Sequence, residues 1–176
     1  MILNLIKAAS FHDLPLRSRA TYVEAIYSQN VAFAKDRFDT ADLLAAVEKA
    51  DAERIKRNFS VLTSTTPAVV EEDGMVLSSR TTSMLDLFPG LEAWMFDELF
   101  ALAGVGLLHR IASIFATNPY EYRRGWPDLT IWRGNEIRFV EIKAPGDKVQ
   151  ASQRRLITEL GQPAGLDFWI AEVIPT

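Results

Sequence analysis

Three ionisable residues in the C-terminal part of this 176-residue chain are spaced for chemistry. Asp128 opens a short apolar stretch, Asp128–Trp132, Gly134 and Asn135 form a turn pair, and Ile137–Ile142 alternates as the returning strand of a hairpin. Glu141 and Lys143 are two apart, so they share one face of that strand, with Ile142 expected to turn into the core. Glu141 follows Asp128 by 13 positions, which lets the two carboxylates meet across the hairpin. Two carboxylates and an ammonium then converge. Nearby anions repel, and one takes up a proton unless a cation offsets them. Mg2+ or Mn2+ accepts oxygen from Asp, Glu and backbone carbonyls, so Asp128, Glu141 and the Ile142 carbonyl are the expected ligands. Such an ion polarises a phosphodiester and activates water, and Lys143 would orient that water or neutralise charge on the phosphate. Taken singly, each residue is a turn residue or an exposed charge worth little. That explanation does not cover them together.

Pro127-Asp128 with Glu141-Ile142-Lys143 resembles the PD-(D/E)xK nuclease motif, and more narrowly the VRR-NUC family. That family's pattern is a glycine, one residue, Pro-Asp, a hydrophobic strand, Glu-Val-Lys-Gly-Pro-x-Asp, a basic residue and a downstream Gln opening a helix. The chain supplies Gly125, Pro127-Asp128, Glu141-Ile142-Lys143, Pro145, Asp147-Lys148 and Gln153. Ala144 stands where the family prefers Gly, and Trp126 where a smaller residue is commoner. The resemblance covers Leu91–Ile174. It implies an α/β, restriction-endonuclease-like core over 90–176, in the order helix–strand–strand–helix–strand, preceded by a mainly helical extension over 1–89. It implies a Mg2+- or Mn2+-dependent deoxyribonuclease in which Gln153 faces the active site and an acid from an upstream helix completes the metal site. Glu92 is the first candidate for that acid, because it shares a face with Met95, Phe96, Leu99 and Phe100; Glu98, beside Trp94 and Leu102, is the second.

The charge distribution favours a nucleic-acid substrate. Pro119–Arg155 holds eight basic and five acidic residues, a local +3, while the whole chain is −4, leaving −7 elsewhere. Arg123, Arg124, Lys148 and Arg154 are the expected phosphate contacts, and Tyr120, Tyr122 and Trp126 either stack on bases or pack beneath the hairpin. The expected partner is DNA. The resemblance implies a setting in repair or junction processing, with a homodimer across branched DNA, or else an antibacterial toxin neutralised by an immunity protein. The expected location is cytoplasmic, in the producing cell or in a target cell. The alternative function is a non-catalytic nucleic-acid-binding module that keeps the nuclease fold.

The elements that must position these residues are legible in outline. Helices are expected from Pro15, over 41–59 behind an Asp39 or Thr40 cap, over Leu91–Leu102 with Gly104 and Gly106 as breakers, and over Val149–Leu160. Short strands are expected at Val69–Val70, Met75–Leu77 and Asp167–Ile174. No apolar run is expected to span a membrane. Zero cysteines exclude a thiol nucleophile, a zinc ribbon or a disulfide framework, and two histidines, His12 and His109, leave little for a histidine-based metal site.

Overall fold

The computed structural model describes residues 1–10, 40–63, 69–72, 75–78 and 84–174. The helix expected from Pro15, His12 and Asp39 lie outside them. In chain order the elements are α1 (Ile2–Ser10), α2 (Thr40–Glu48), α3 (Ala52–Thr63), the strands β1 (Val69–Glu72) and β2 (Met75–Ser78), α4 (Met84–Leu87), α5 (Ala93–Thr117) and α6 (Pro119–Tyr122). Then come β3 (Leu129–Arg133), β4 (Glu136–Lys143), α7 (Ala151–Arg155), a π-helical stretch (Leu156–Gly161), α8 (Gln162–Ala164) and β5 (Asp167–Glu172).

The helix expected over 41–59 is two. Asp51 caps α3, its Oδ1 accepting the Arg54 N–H at 2.7 Å, so the chain restarts there instead of running on. α5 begins two residues later and ends far beyond Leu102. Of its two glycines only Gly104 leaves helical geometry, at φ 61° and ψ 172°. By length and composition α5 matches a membrane-crossing helix, contrary to expectation. Here Phe96, Leu99, Leu108, Ile111 and Phe115 are fully buried among the other helices.

β1 and β2 pair as an antiparallel hairpin. The second sheet has the order β3-β4-β5, antiparallel between β3 and β4 and parallel between β4 and β5. Arg133 pairs with Glu136, so Gly134-Asn135 is a two-residue turn, with Gly134 at φ 58° as such turns require. The parallel step needs a helical crossover, which α7, the π-helical stretch and α8 supply. The observed order is therefore helix, two strands, helix, strand.

One hydrophobic core runs from Ile2 and Leu5 in α1, through Phe59 and Phe96, to Phe139, Leu156 and Leu160. The N-terminal helices thus pack into the same core as the sheet. Phe139 faces inward, stacked on Phe168 at 5.4 Å and edge-on to Trp126 at 6.0 Å. Strand alternation puts Glu141 and Lys143 on that same inner face, both 8% exposed, and leaves Ile142 at 36% on the outside. The expected alternation holds, but the faces are exchanged: the charged pair goes inward and the isoleucine outward. Leu129, Ile131 and Trp169 share the outer, exposed face with Ile142.

Candidate active site

The hairpin register delivers the first contact. Leu129 lies opposite Val140, so the next antiparallel step sets Asp128 opposite Glu141. Asp128 Oδ2 accepts the Ile142 N–H at 2.9 Å. The N–H and C=O of a strand residue point to the same edge, so the Ile142 carbonyl faces the Asp128 side. The Lys143 carbonyl faces the other way and accepts the Val173 N–H at 2.8 Å.

Glu141 divides its oxygens unequally. Oε1 accepts Lys143 Nζ at 2.7 Å and Gln153 Nε2 at 2.5 Å. Oε2 is buried and has no hydrogen-bond partner among the described residues. Lys143 Nζ also donates to Gln153 Oε1 at 3.1 Å. Leaving a buried carboxylate oxygen without a donor or a cation costs about 1–3 kcal/mol or more. Carboxylate and carbonyl oxygens are the donors that Mg2+ and Mn2+ prefer. Glu141 Oε2, the Asp128 carboxylate and the Ile142 carbonyl therefore fit such an ion.

Gln153 is held from its own helix end. Its Oε1 accepts the Gln150 N–H at 2.8 Å, while the Gln150 side chain accepts the Gln153 N–H, a reciprocal capping box. With two donors on Oε1, the amide orientation is fixed and Nε2 must point at Glu141. Gln150 escaped the sequence reading because Gln is not a favoured N-cap type; the three-residue spacing to Gln153 was the available sign. Gly125, at φ 81°, lies against this helix start. A Cβ there would sit 2.5 Å from the Ser152 carbonyl oxygen and 2.8 Å from the Gln153 nitrogen. Asp147 closes the loop between β4 and α7, its Oδ2 accepting the Ala144 N–H at 3.1 Å.

The two candidate upstream acids lie elsewhere. Glu92 precedes the first helical residue as the N-cap of α5, in extended conformation at φ −124° and ψ 152°, and does not join the buried Phe96–Leu99 stripe. It is exposed, and its Oε2 accepts the Trp94 indole N–H at 2.8 Å. Glu98 Oε2 accepts the Trp132 indole N–H at 2.8 Å. Trp132 is four residues from Asp128 toward the hairpin turn, about 13 Å along the strand. The Trp94 and Trp132 rings lie 6.3 Å apart, so both acids belong to the far end of the sheet. Among the described residues no group of three or more His, Cys, Asp or Glu side chains comes together as a metal site.

The basic and aromatic residues divide. Trp126 packs beneath the hairpin, with its indole N–H on the Tyr122 carbonyl at 2.7 Å. Tyr122 is buried, and its hydroxyl donates to Glu159 Oε2 at 3.2 Å. Burial pushes that phenol's pKa up, and Glu159 pushes it the same way. Tyr120 stays on the surface with the Arg123 and Arg124 guanidiniums beside its ring. Lys148 is exposed, and Arg154 donates to the Val149 carbonyl at 2.6 Å. His109 faces Glu48 at 3.3 Å, and no second histidine lies among the described residues.

The paired strands of a mixed sheet thus bring Asp128, Glu141 and Lys143 together, and a Gln from the following helix closes the group. Residues 92–174 match the family model of the VRR-NUC domain. Among curated proteins, the Fanconi-associated nuclease 1 homolog of Oryza sativa subsp. japonica is 36% identical over 76 residues. That stretch is 38% of this chain and 8% of the rice protein, so the chain spans a small fraction of that relative's length.

Proposed function

We propose that the chain is a divalent-metal-dependent deoxyribonuclease on a restriction-endonuclease-like core. The observation that carries this reading is Glu141 Oε2, buried beside Asp128 and without a hydrogen-bond partner among the described residues, while Oε1 is fixed by Lys143 and Gln153. Asp128, Glu141 and the Ile142 carbonyl hold Mg2+ or Mn2+. The bound ion supplies Lewis-acid polarisation of the phosphodiester and a lowered pKa for water. Lys143 has three N–H donors, of which Glu141 and Gln153 take two; the third points a positive charge at the attacking water or a phosphate oxygen. Gln153 keeps that ammonium in place and keeps Glu141 Oε1 from turning toward the ligand side. Neither Glu92 nor Glu98 is needed. The similarity to a Fanconi-associated nuclease homolog supports the nuclease reading, and the setting we propose is repair, with branched DNA as substrate.

The test is incubation of the purified chain with supercoiled plasmid and with branched oligonucleotide DNA, under Mg2+, Mn2+ or EDTA. Cleavage that needs metal and disappears in Glu141→Ala and Lys143→Ala establishes the activity. DNA binding without metal and without cleavage, unchanged in Asp128→Ala, would instead make this a binding module. Preference for branched substrate over plasmid supports the repair setting.

A further inference from the structure

Tyr120 begins the segment that leads into Asp128, and its ring is 38% exposed. The guanidinium carbons of Arg123 and of Arg124 each lie 5.1 Å from its centroid. Cation–π attraction favours each contact. Together they gather two positive charges at one ring. Desolvation lowers the Arg123 pKa first, and the charge of Arg124 lowers it further. Arg138 pairs with Glu136 at 2.9 Å and Asp167 at 3.2 Å, and Arg155 binds Glu121. Arg124 is exposed and paired with no carboxylate among the described residues. Two guanidiniums drawn to one ring are relieved when an anion binds with them, and their planar forks match phosphate oxygens two at a time. The next residue, Gly125, lies against the backbone of Ser152 and Gln153, so the segment that carries the ring and its two arginines runs directly into the helix start that holds Gln153.

We propose that Tyr120, Arg123 and Arg124 form a phosphate clamp that grips the nucleic-acid backbone next to the scissile bond. The arginines make the contact, and Tyr120 is a positioning residue that holds them together. The nature of the ligand, a nucleic-acid phosphate, rests on the nuclease reading. The test does not use cleavage. Fluorescence anisotropy would follow binding of the full chain to a labelled duplex oligonucleotide in EDTA, over a series of salt concentrations. Arg123→Gln and Arg124→Gln should each weaken binding by about tenfold and reduce the salt slope by about one. Tyr120→Leu removes no charge, yet it should weaken binding several-fold and flatten the slope, whereas Tyr120→Phe should behave as the parent. A merely structural ring would move the melting temperature in Tyr120→Leu and leave the slope alone. Unchanged slopes in both arginine variants, or no binding by the parent, would overturn the clamp. Clamp-dependent binding by a chain that cuts no DNA with metal present would sink the nuclease reading and leave the clamp standing.

Discussion

At the scale of single residues, Glu141 joins two opposed requirements in one carboxylate. Oε1 neutralises Lys143 inside the protein, and Oε2 is left for a cation. The two roles separate by substitution. Glu141→Gln keeps an oxygen for Lys143 and should bind Mn2+ at least tenfold more weakly by titration calorimetry, with cleavage lost. Glu141→Ala leaves a buried ammonium with only Gln153 as acceptor, and should also unfold about 3 kcal/mol more easily in urea. Glu92→Ala, on an exposed N-cap carboxylate whose partner is Trp94, should cleave at the parental rate and shift stability by about 0.5 kcal/mol or less. The positions of Asp128, Glu141 and Lys143 were legible in the sequence because strand alternation and hairpin register turn spacing into position, whereas Gln153 was expected there only from the family resemblance. Glu92 was not. Its placement depends on where α5 starts, and helix ends are the least legible feature of a periodic pattern. The inward face of β4 was misread for a related reason. Hydropathy sends Ile142 to the core, but Glu141, Lys143 and Gln153 satisfy one another there, and Phe139 supplies the apolar anchor.

At the scale of elements, the site is a junction between a hairpin and a helix start, and Gly125 sets how closely they meet. A methyl at Gly125 collides with backbone, not with the yielding end of a side chain. Gly125→Ala should therefore lose 2 kcal/mol or so of stability in urea, and lose cleavage more steeply than that figure implies, because α7 must retreat with Gln153. Gly146→Ala is the control. Gly146 also has positive φ, at 87°, but nothing lies within 4 Å of the added carbon, so only local strain of about 1 kcal/mol follows and cleavage should persist. The crossover itself was half legible. Its start and apolar rhythm predicted a helix. The π-helical stretch was not, since it answers to a packing demand: Leu156, Leu160, Gly161 and Ala164 must all reach the core while Gln153 stays on the site, and Gly161 lies flat against the Phe168 ring.

At the scale of the whole molecule, residues far from the site share its core. Lys7 is buried in α1, and burial lowers its pKa from 10.5 to about 7. The unfolded chain holds that proton up to pH 10.5 and the folded chain only to about pH 7. Between those values the unfolded state binds more protons, so stability should rise with pH across the window and be lowest below it. Lys7→Met should be more stable than the parent at the lower end and should remove that slope, measured as urea midpoints at both ends of the window. How the N-terminal helices join the core was not legible, because contacts between α1 and α3, such as Asn58 Nδ2 on the Ala8 carbonyl at 2.6 Å, span fifty residues without any local periodicity.

Gln153 completes the site from the opening turn of α7, tied to its own helix end by one reciprocal pair with Gln150 and to β4 by Glu141 and Lys143. Opening turns loosen at lower free energy than packed interiors. On warming, Gln153 should swing away while Phe139, Leu156 and Leu160 still hold the core. Cleavage rate plotted against temperature should then peak and fall several degrees below the calorimetric melting point, and the loss should reverse fully on cooling. Amide exchange of Gln153 measured across the same range should quicken in step with the fall.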